Sequence, residues 1–429
     1  MQKLELFGQS YRISSRLFFA FLLCGFLIAC SSSSSSGGAD PDSTESGETI
    51  ETGEVDTIEM DSGGTLLDST AIDVPVSLTA ASSAILFDFS MDAVEGGMTT
   101  ARPQLFNPIG ATPEGGFPLV VWAHGTTGIA NSCAPSLSFA SFSNEIAIGS
   151  LLAEGYAVLA PDYEGFGTPG IQPYYVRESH ANSILAAIPA VHEIEGNELT
   201  AEWALAGHSL GGHVALSTAR AEQDPAFPLQ AVVALAPGTD LVPLSMRAFE
   251  AVDMEIAQGQ LETAAERVFF INVNGGFVAN ALPFLDPTFD PAILFGDDVD
   301  DLLDIAVDEE ICGEFANSVN NTLSVHLDSL GTLTDFGGLR RDWFTEPALV
   351  GLLEQQALND EAQSAPLLVV QGDADTQIPV AATTDFVNLQ LSLGTDVTYE
   401  LIPGATHSDV ARSEFGVALE WLVEQFPPQ

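Results

Sequence analysis

The clearest pattern along the chain is a series of short, continuous apolar runs separated by amphipathic segments. Strands that are apolar throughout are typical of a parallel sheet covered by helices on both faces. The runs lie at residues 117–123, 156–160, 202–206, 229–236 and 366–371. The segments between them, such as residues 146–154 and 210–222, have the apolar periodicity of helices. The pattern therefore predicts an α/β fold in which helices flank a mostly parallel central sheet.

This alternation is interrupted between residues 238 and 364, which carry several helical patterns and an apolar stretch punctuated by prolines. The strand and helix pattern then resumes and continues to the end of the chain. A helical segment of this length, placed between two core strands, indicates an inserted cap. The sequence therefore predicts a core formed by residues 79–237 and 365–429, with a helical cap or lid at residues 238–364.

The amino terminus carries a targeting signal. Three basic residues precede an apolar run at residues 17–28, and residues 27–30 read Leu-Ile-Ala-Cys. This order predicts a signal peptide at residues 1–29. Its ending resembles a bacterial lipobox, in which the peptidase cleaves before the cysteine and Cys30 receives the lipid. An ordinary secretory signal and a membrane anchor are the alternatives, although about 12 apolar residues fall short of the about 20 that span a bilayer.

Residues 30–78 differ from the rest of the chain because they begin with consecutive serines and continue through Gly, Asp, Glu and Thr. Such a composition predicts a disordered acidic tether. Together with Cys30, it predicts a protein of the bacterial cell envelope, lipid-anchored to the outer membrane, or a secreted protein.

The charge balance is strongly acidic, with 60 Asp and Glu against 11 Lys and Arg and a formal net charge of −49. Such a field repels nucleic acid and anionic membrane surfaces, so no nucleic-acid partner is expected. An excess of carboxylates keeps a protein soluble where salt screens the self-repulsion, which favours a marine or halophilic setting. An acidic secreted protein without salt adaptation is the alternative.

Of the four cysteines, Cys24 lies in the signal peptide and Cys30 is the predicted lipidation site. Cys133 and Cys312 remain in an oxidising compartment, so we expect a disulfide, with two free thiols as the alternative. The sequence has no HExxH or CxxC motif, no histidines at ligand spacing and no phosphate-binding glycine loop. It therefore predicts neither a metal site nor a cofactor.

A reactive serine is indicated at residue 209. Residues 207–211 read Gly-His-Ser-Leu-Gly, directly after an apolar strand and before a helix. In this arrangement the serine occupies a tight turn that exposes its hydroxyl at the edge of the sheet. Gly207 and Gly211 suit the turn because a Cβ at either position would clash with the backbone packed against it. We therefore predict Ser209 as a nucleophile.

A serine hydroxyl is a poor nucleophile at neutral pH, so a base must lie within hydrogen-bonding reach. His407 follows the last predicted strand and precedes the last helix, which places it at the same edge of the sheet as Ser209. His124, His208 and His213 are the competing candidates. Of these four histidines we expect His407 to be the base.

An acid must hold the imidazole in one tautomer and stabilise the imidazolium that forms. Asp373 and Asp375 both follow the strand at residues 366–371, and Asp240 follows the preceding core strand. These residues alone leave the choice open among the three aspartates.

The developing oxyanion needs N–H donors held in place before the reaction. We expect one from Leu210, directly after the nucleophile, and one from the loop that follows the strand at residues 117–123. In that loop Thr126 is the preferred donor. A glycine-rich turn without a catalytic role is the alternative.

These features resemble the α/β-hydrolase superfamily, in which the serine, the acid and the histidine follow one another in the order found here. Residues 372–379 match the superfamily pattern Gly-x-x-Asp-x-x-(Val or Ile)-Pro. The resemblance therefore implies Asp375 as the acid, with Asp373 as a turn-stabilising residue.

Three motifs are similar, more narrowly, to the secretory lipase family, over roughly residues 80–426. They are Ala-His-Gly-Thr-Thr-Gly at 123–128 with Cys-Ala-Pro-Ser at 133–136, Pro-Asp-Tyr-Glu-Gly-Phe-Gly at 161–167, and Gly-His-Ser-Leu-Gly-Gly at 207–212. This resemblance implies a disulfide from Cys133 to Cys312 and a cap that shapes an acyl-chain tunnel or lid.

The predicted function is that of a serine ester hydrolase, a lipase or carboxylesterase that cleaves a small-molecule or lipid ester through an acyl-enzyme. The cap phenylalanines suit either an apolar acyl site or simply the cap core: Phe269, Phe270, Phe277, Phe284 and Phe289. A serine peptidase or amidase on the same fold is the alternative enzyme. A non-catalytic surface-binding lipoprotein is the alternative outside enzymes.

Overall fold

A computed structural model of the chain describes residues 4–6, 9–11, 64–137, 142–308, 310–358 and 361–428. The predicted lipidation site at Cys30 lies outside these residues, as do most of the predicted signal peptide and tether. Within the signal-peptide segment, β1 (Leu4–Leu6) pairs with β2 (Gln9–Tyr11) in antiparallel fashion. In the described part of the chain, no helix has both the length and the apolar character needed to cross a bilayer.

The other strands of the described chain form one ten-stranded sheet. They are β3 (Leu66–Ile72), β4 (Ala81–Asp92), β5 (Met98–Ala101), β6 (Gln104–Pro108), β7 (Phe117–Ala123), β8 (Ala157–Ala160), β9 (Leu199–His208), β10 (Leu229–Leu235), β11 (Leu367–Gly372) and β12 (Val397–Ile402). Their order is β12-β11-β10-β9-β7-β8-β6-β4-β3, and β5 pairs with β4. From β12 to β8 all neighbours are parallel, and the remaining pairs are antiparallel. The predicted, mostly parallel sheet is confirmed.

The sheet begins earlier in the chain than predicted. β3 pairs with β4, with Thr70 opposite Leu86, although it lies within the predicted tether. The five inner residues of β3 are exposed, so the strand lacks the apolar character that marks the other strands. The predicted boundary at residue 79 is therefore wrong, and the core begins near Leu66.

Eleven helices accompany the sheet in the described residues. They are α1 (Phe142–Glu154), α2 (Arg177–Leu185), α3 (Ala187–His192), α4 (Leu210–Arg220), α5 (Leu241–Ala257), α6 (Leu261–Ala281), α7 (Leu303–Asp308), α8 (Glu314–Leu330), α9 (Pro347–Glu354), α10 (Val380–Leu393) and α11 (Phe415–Gln425). Helices α5 to α9 lie between β10 and β11, which confirms a helical cap inserted between core strands.

Alternate residues of the central strands enter cores on opposite faces of the sheet. In β7, Leu119 and Val121 belong to one core, which continues into the cap. Trp122 belongs to the other core, where its ring meets that of Phe415 of α11 edge-on at 5.6 Å. Because both faces are covered, each strand is apolar throughout, as the sequence pattern requires.

The strand order brings the loops with the candidate groups together. Ala123 at the end of β7 pairs with Gly207 near the end of β9. Gly372 at the end of β11 pairs with Ile402 at the end of β12. Since these strands are parallel, the loops that follow them all emerge at one edge of the sheet.

Candidate active site

Ser209 occupies a strained turn between β9 and α4. Its backbone has φ 59° and ψ −117°, a conformation that a non-glycine residue adopts only when its surroundings enforce it. Its N–H donates a hydrogen bond of 2.8 Å to the carbonyl of Leu235 in β10. Ser209 is partly exposed, whereas the adjacent His208 and Leu210 are buried. The turn therefore presents this serine at the edge of the sheet.

Two glycines allow the backbone to pack this closely. A Cβ on Gly207 would overlap the carbonyl oxygen of Gly211. A Cβ on Gly211 would in turn overlap the carbonyl oxygen of Ala123 at the end of β7. Both neighbours are buried backbone atoms, one in the first turn of α4 and one at the end of β7, so neither can move aside. The predicted elbow glycines thus lie where only glycine fits.

His407 and Asp375 form a buried, hydrogen-bonded pair. Nδ1 of His407 donates to Oδ2 of Asp375 at 2.8 Å, and both residues are less than a tenth exposed. Oδ1 of Asp375 accepts hydrogen bonds from the N–H groups of Gln377 at 2.7 Å and Ile378 at 2.9 Å. The carboxylate is therefore fixed on both oxygens, and it holds the imidazole in one orientation.

Opposing effects act on the pKa of Asp375. Burial would raise the pKa, but the attraction of His407 and the hydrogen bonds from His407, Ile378 and Gln377 together lower it below the ordinary value. The carboxyl group is therefore ionised at neutral pH and accepts a hydrogen bond from the Nδ1–H group of His407. This tautomer leaves Nε2 of His407 as the nitrogen that can accept a proton.

The other two candidate acids do not reach His407. Asp373 is exposed, and its Oδ1 accepts a 2.6 Å hydrogen bond from the N–H of Gly404. Asp240 caps α5, since its side chain accepts the N–H of Val242 at 3.2 Å. Asp375 is the one of the three aspartates that is bonded to the candidate base.

Two of the competing histidines are engaged elsewhere in the core. Nδ1 of His124 donates to the carbonyl of Gly125 at 2.7 Å, and its ring stacks on Tyr163 at 4.2 Å. Nδ1 of His213 donates to the carbonyl of Gly238 at 2.8 Å. Burial lowers the pKa of each imidazole to about 4, so both stay neutral at physiological pH.

His208 supports the candidate base rather than replacing it. Its Nε2 donates to the backbone carbonyl of His407 at 2.8 Å, and the two ring centroids are 4.7 Å apart. Burial, and secondarily the proximity of His407, lower the pKa of His208 to about 3. The ring therefore stays neutral at physiological pH and donates this hydrogen bond to the loop of His407, a role that sequence reasoning missed.

Gln371 is a second site residue that sequence reasoning missed. It is fully buried, and its Nε2 donates to Oδ2 of Asp375 at 2.9 Å. Its Oε1 accepts the hydroxyl of Thr383 at 2.8 Å, which fixes the orientation of the amide. The available signal was a polar residue at the end of an otherwise aliphatic strand, directly before the loop of the acid.

The loop after β7 lies against the elbow. A Cβ on Gly125 would stand 3.6 Å from the Cβ of Ser209, so the next residue, Thr126, adjoins the nucleophile. Leu210 begins α4, and N–H groups at a helix N-terminus carry a partial positive charge. Leu210 is thus adjacent to Ser209 in the chain, and the loop that carries Thr126 packs against Ser209 at Gly125.

The segment at residues 161–167 braces this loop. The hydroxyl of Tyr163 donates to the carbonyl of His124 at 2.8 Å. Oδ1 of Asp162 accepts the N–H of Ser136 at 3.1 Å, and burial raises the pKa of Asp162 to about 7. These contacts join neighbouring loops beside the site.

A disulfide joins Cys133, in the loop after β7, to Cys312, between α7 and α8 of the cap. The predicted pairing is confirmed. The bond closes a segment of 179 residues and ties the cap to the loop that carries Thr126.

An apolar cavity lies in the cap beside the loop of the acid. Its empty volume is about 820 Å³, part of it open to solvent. Helices α5, α6 and α9 contribute most of its wall, most of the side chains that line it are apolar, and Gln377 and Ile378 close it on the side of the acid loop. Ser209 and His407 are not part of the wall.

One of the five phenylalanines that the sequence singled out, Phe270, lines this cavity. Phe269 and Phe277 are fully buried in the cap core, and Phe284 and Phe289 pack against that core. One of the five thus lines an apolar cavity, and the other four belong to the cap core or pack against it. Among the described residues, no group of three or more His, Cys, Asp or Glu side chains is placed to hold a metal ion.

A family model of the α/β-hydrolases matches residues 120–416, more than half of the chain. No curated protein sequence matches the chain. Candida antarctica lipase A in its closed state has 15% identity and a TM-score of 0.64, over 85% of this chain and 82% of the lipase. The rice cell wall degrading esterase LipA of Xanthomonas oryzae, in a ligand-bound form, has 18% identity and a TM-score of 0.65, over 85% of this chain and 98% of the esterase. At these identities the likeness concerns the fold. As the sequence motifs predicted, the chain belongs to the α/β-hydrolase family.

Proposed function

We propose that this protein is a serine ester hydrolase of the lipase or carboxylesterase type. The observation that carries the proposal is the buried pair of His407 and Asp375 at the same sheet edge as a serine held in a strained turn. An ionised acid, an oriented imidazole and a serine at an elbow are the components of nucleophilic acyl transfer.

In the proposed mechanism, Oγ of Ser209 attacks the ester carbonyl carbon while Nε2 of His407 takes the hydroxyl proton. The N–H groups of Leu210 and Thr126 stabilise the oxyanion. Collapse of the tetrahedral intermediate expels the alkoxide, which leaves as an alcohol with the proton from His407. A water molecule, deprotonated by His407, then attacks the acyl-enzyme, and the carboxylic acid departs as Ser209 regains its proton. Asp375 stays ionised throughout.

The cap cavity supports an ester with an aliphatic acyl group. Its wall is predominantly apolar, as in sites that bind aliphatic groups. It adjoins Gln377 and Ile378, whose N–H groups bind the proposed acid. A lipase and an esterase are among the structural neighbours, which supports the same choice.

The proposal is tested by comparing p-nitrophenyl acyl esters of increasing chain length with aminoacyl p-nitroanilides, with Ser209→Ala as the control. We expect the esters to be hydrolysed and the anilides to be turned over far more slowly. Preferential turnover of the anilides would instead indicate the peptidase or amidase alternative. A folded protein inactive on both would favour a non-catalytic binding role.

We also propose that the protein is held at the bacterial cell envelope by a lipid on Cys30. The basis is the lipobox-like sequence and the serine-rich acidic segment that follows it. Expression of full-length protein and of Cys30→Ala, followed by fractionation, tests this. The expected result is a membrane-bound wild type and a released variant, whereas equal release of both would refute the anchor.

A further inference from the structure

One helix of the cap contacts the loop of the proposed acid directly and the oxyanion loop through Tyr174. Helix α6 bears Arg267 and Asn274, and both line the apolar cavity. Seven residues are nearly two helical turns, so the two side chains share one face of α6 about 10 Å apart. Polar groups on an otherwise apolar face need partners, and each of these side chains finds its partner at a different loop.

Arg267 contacts the loop of the proposed acid. Its Nη1 donates to the carbonyl of Thr376 at 2.6 Å, and Thr376 directly follows Asp375 in the chain. The same guanidinium donates to Glu255 of α5, with its Nη2 at 2.7 Å from Oε1. Arg267 is 7% exposed, so this ion pair offsets the cost of burying its charge. The guanidinium thus fixes the backbone next to Asp375.

Asn274 contacts the oxyanion loop through a buried tyrosine. The hydroxyl of Tyr174 donates to Oδ1 of Asn274 at 3.0 Å and lies 2.7 Å from the hydroxyl of Thr126. Burial raises the pKa of Tyr174 well above its ordinary value, so the phenol keeps its proton.

A tyrosine hydroxyl can donate one hydrogen bond, and Tyr174 donates it to Oδ1 of Asn274. In the hydrogen bond between the two hydroxyls, Thr126 must therefore be the donor and Tyr174 the acceptor. The hydroxyl hydrogen of Thr126 is used in this hydrogen bond, which leaves its backbone N–H as the group available to an oxyanion. The hydrogen bonds from Thr126 to Tyr174 and from Tyr174 to Asn274 thus fix the position of that N–H from the cap side.

We propose that α6 positions the oxyanion loop and the acid loop as one unit, with Tyr174 and Arg267 as the positioning residues. The inference rests on the proposed function, because it assigns the two loops their roles in ester hydrolysis. The same face of α6 lines the cavity, so an acyl chain bound there packs against the helix that holds both loops.

The first test is Tyr174→Phe, which removes a single hydroxyl and keeps the ring. We expect kcat on p-nitrophenyl acetate to fall tenfold to a hundredfold (order of magnitude), with KM changed less than about twofold, because a displaced oxyanion donor weakens the transition state more than the bound substrate. Tyr399→Phe is the matched control, because it also removes a tyrosine hydroxyl that contacts a threonine hydroxyl, that of Thr384 at 3.2 Å, and neither residue lines the cavity. It should leave both kcat and KM on the acetate unchanged.

The second test is Arg267→Lys, which keeps a positive charge opposite Glu255 but loses the planar fork that serves both partners. We expect kcat on the acetate to fall with little change in KM. If one helix holds both loops, the double variant Tyr174→Phe/Arg267→Lys lowers kcat by less than the product of the single effects.

A Tyr174→Phe variant with a lowered thermal midpoint but wild-type kcat would show a merely structural role and overturn the inference. Strictly multiplicative effects in the double variant would overturn the claim that the loops are held as one unit. A wild type that neither hydrolyses esters nor reacts with a fluorophosphonate at Ser209 would overturn the proposed function and this inference with it. A wild type that does both, with an unaffected Tyr174→Phe variant, would overturn the inference alone.

Discussion

Replacing Asp375 by asparagine changes one oxygen into an amide nitrogen at a site where every neighbour is a donor. In the native protein, Oδ2 accepts from His407 and Gln371, and Oδ1 accepts from the N–H groups of Gln377 and Ile378. Asparagine must place its NH₂ group against one of these two pairs of donors. If the NH₂ group faces the N–H groups of Gln377 and Ile378, both of these backbone hydrogen bonds are lost.

The other orientation is less costly, because His407 can adapt while Gln371 cannot. His407 can move its proton to Nε2 and accept from the asparagine at Nδ1. The amide of Gln371 is held by Thr383, so its Nε2 loses the carboxylate and keeps only the longer contacts to the carbonyls of Gly372 at 3.3 Å and Ile378 at 3.4 Å. A buried donor that loses its best acceptor costs up to about 1–3 kcal/mol of stability. In the favoured arrangement, the proton of His407 therefore lies on Nε2, the nitrogen that should accept the hydroxyl proton of Ser209.

We expect Asp375→Asn to fold with a modestly lowered thermal midpoint and to lose about 10⁴-fold in kcat, equivalent to about 5 kcal/mol of transition-state stabilisation. Steady-state hydrolysis of p-nitrophenyl butyrate measures this, with circular dichroism to verify folding. Asp373→Asn is the matched control, since Asp373 is exposed and bonds the N–H of Gly404; its kcat should stay within a few-fold of wild type. Loss of activity in Asp373→Asn with a functional Asp375→Asn would refute the assignment.

Three further predictions concern the scaffold of the site. Stability should fall as the pH decreases from 6.5 to about 4, because the unfolded chain binds protons there that the buried His124, His180, His208 and His213, whose pKa values burial lowers, do not bind; Asp162, whose pKa burial raises to about 7, offsets part of this loss, and the net loss would appear as a lower urea midpoint. Gly211→Ala should abolish hydrolysis because its Cβ overlaps the carbonyl of Ala123, whereas Gly416→Ala, in open space on α11, should keep wild-type activity. The double variant Cys133→Ser/Cys312→Ser should lose about 2–5 kcal/mol, measured by calorimetry, since the disulfide closes a long segment; an unchanged thermal midpoint would contradict this.

The central strands and the elbow could be predicted because their physical requirements are local. A strand buried on both faces must be apolar throughout, and the turn at Ser209 requires Gly207 and Gly211 at set positions. By contrast, β3 is an exposed edge strand stabilised by its pairing with β4, so its sequence does not differ from that of a polar linker.

The parts of the site that escaped prediction depend on contacts between distant segments. His208 meets the carbonyl of His407 across 199 residues, and Tyr174 meets Asn274 across 100. No local pattern indicates either contact. Asp373 and Asp375 could not be separated by chemistry alone either, since both lie in the same loop and the hydrogen bond to His407 distinguishes them.

In the proposed mechanism, Ser209 is the nucleophile and His407 activates it. The most direct measurement is the stoichiometry and position of labelling by a fluorophosphonate, followed by peptide mass spectrometry on wild type and Ser209→Ala. We expect one equivalent of label on the peptide that contains Ser209 and none on the folded Ser209→Ala protein. Equal labelling of both proteins, or a folded wild type that does not react, would contradict it.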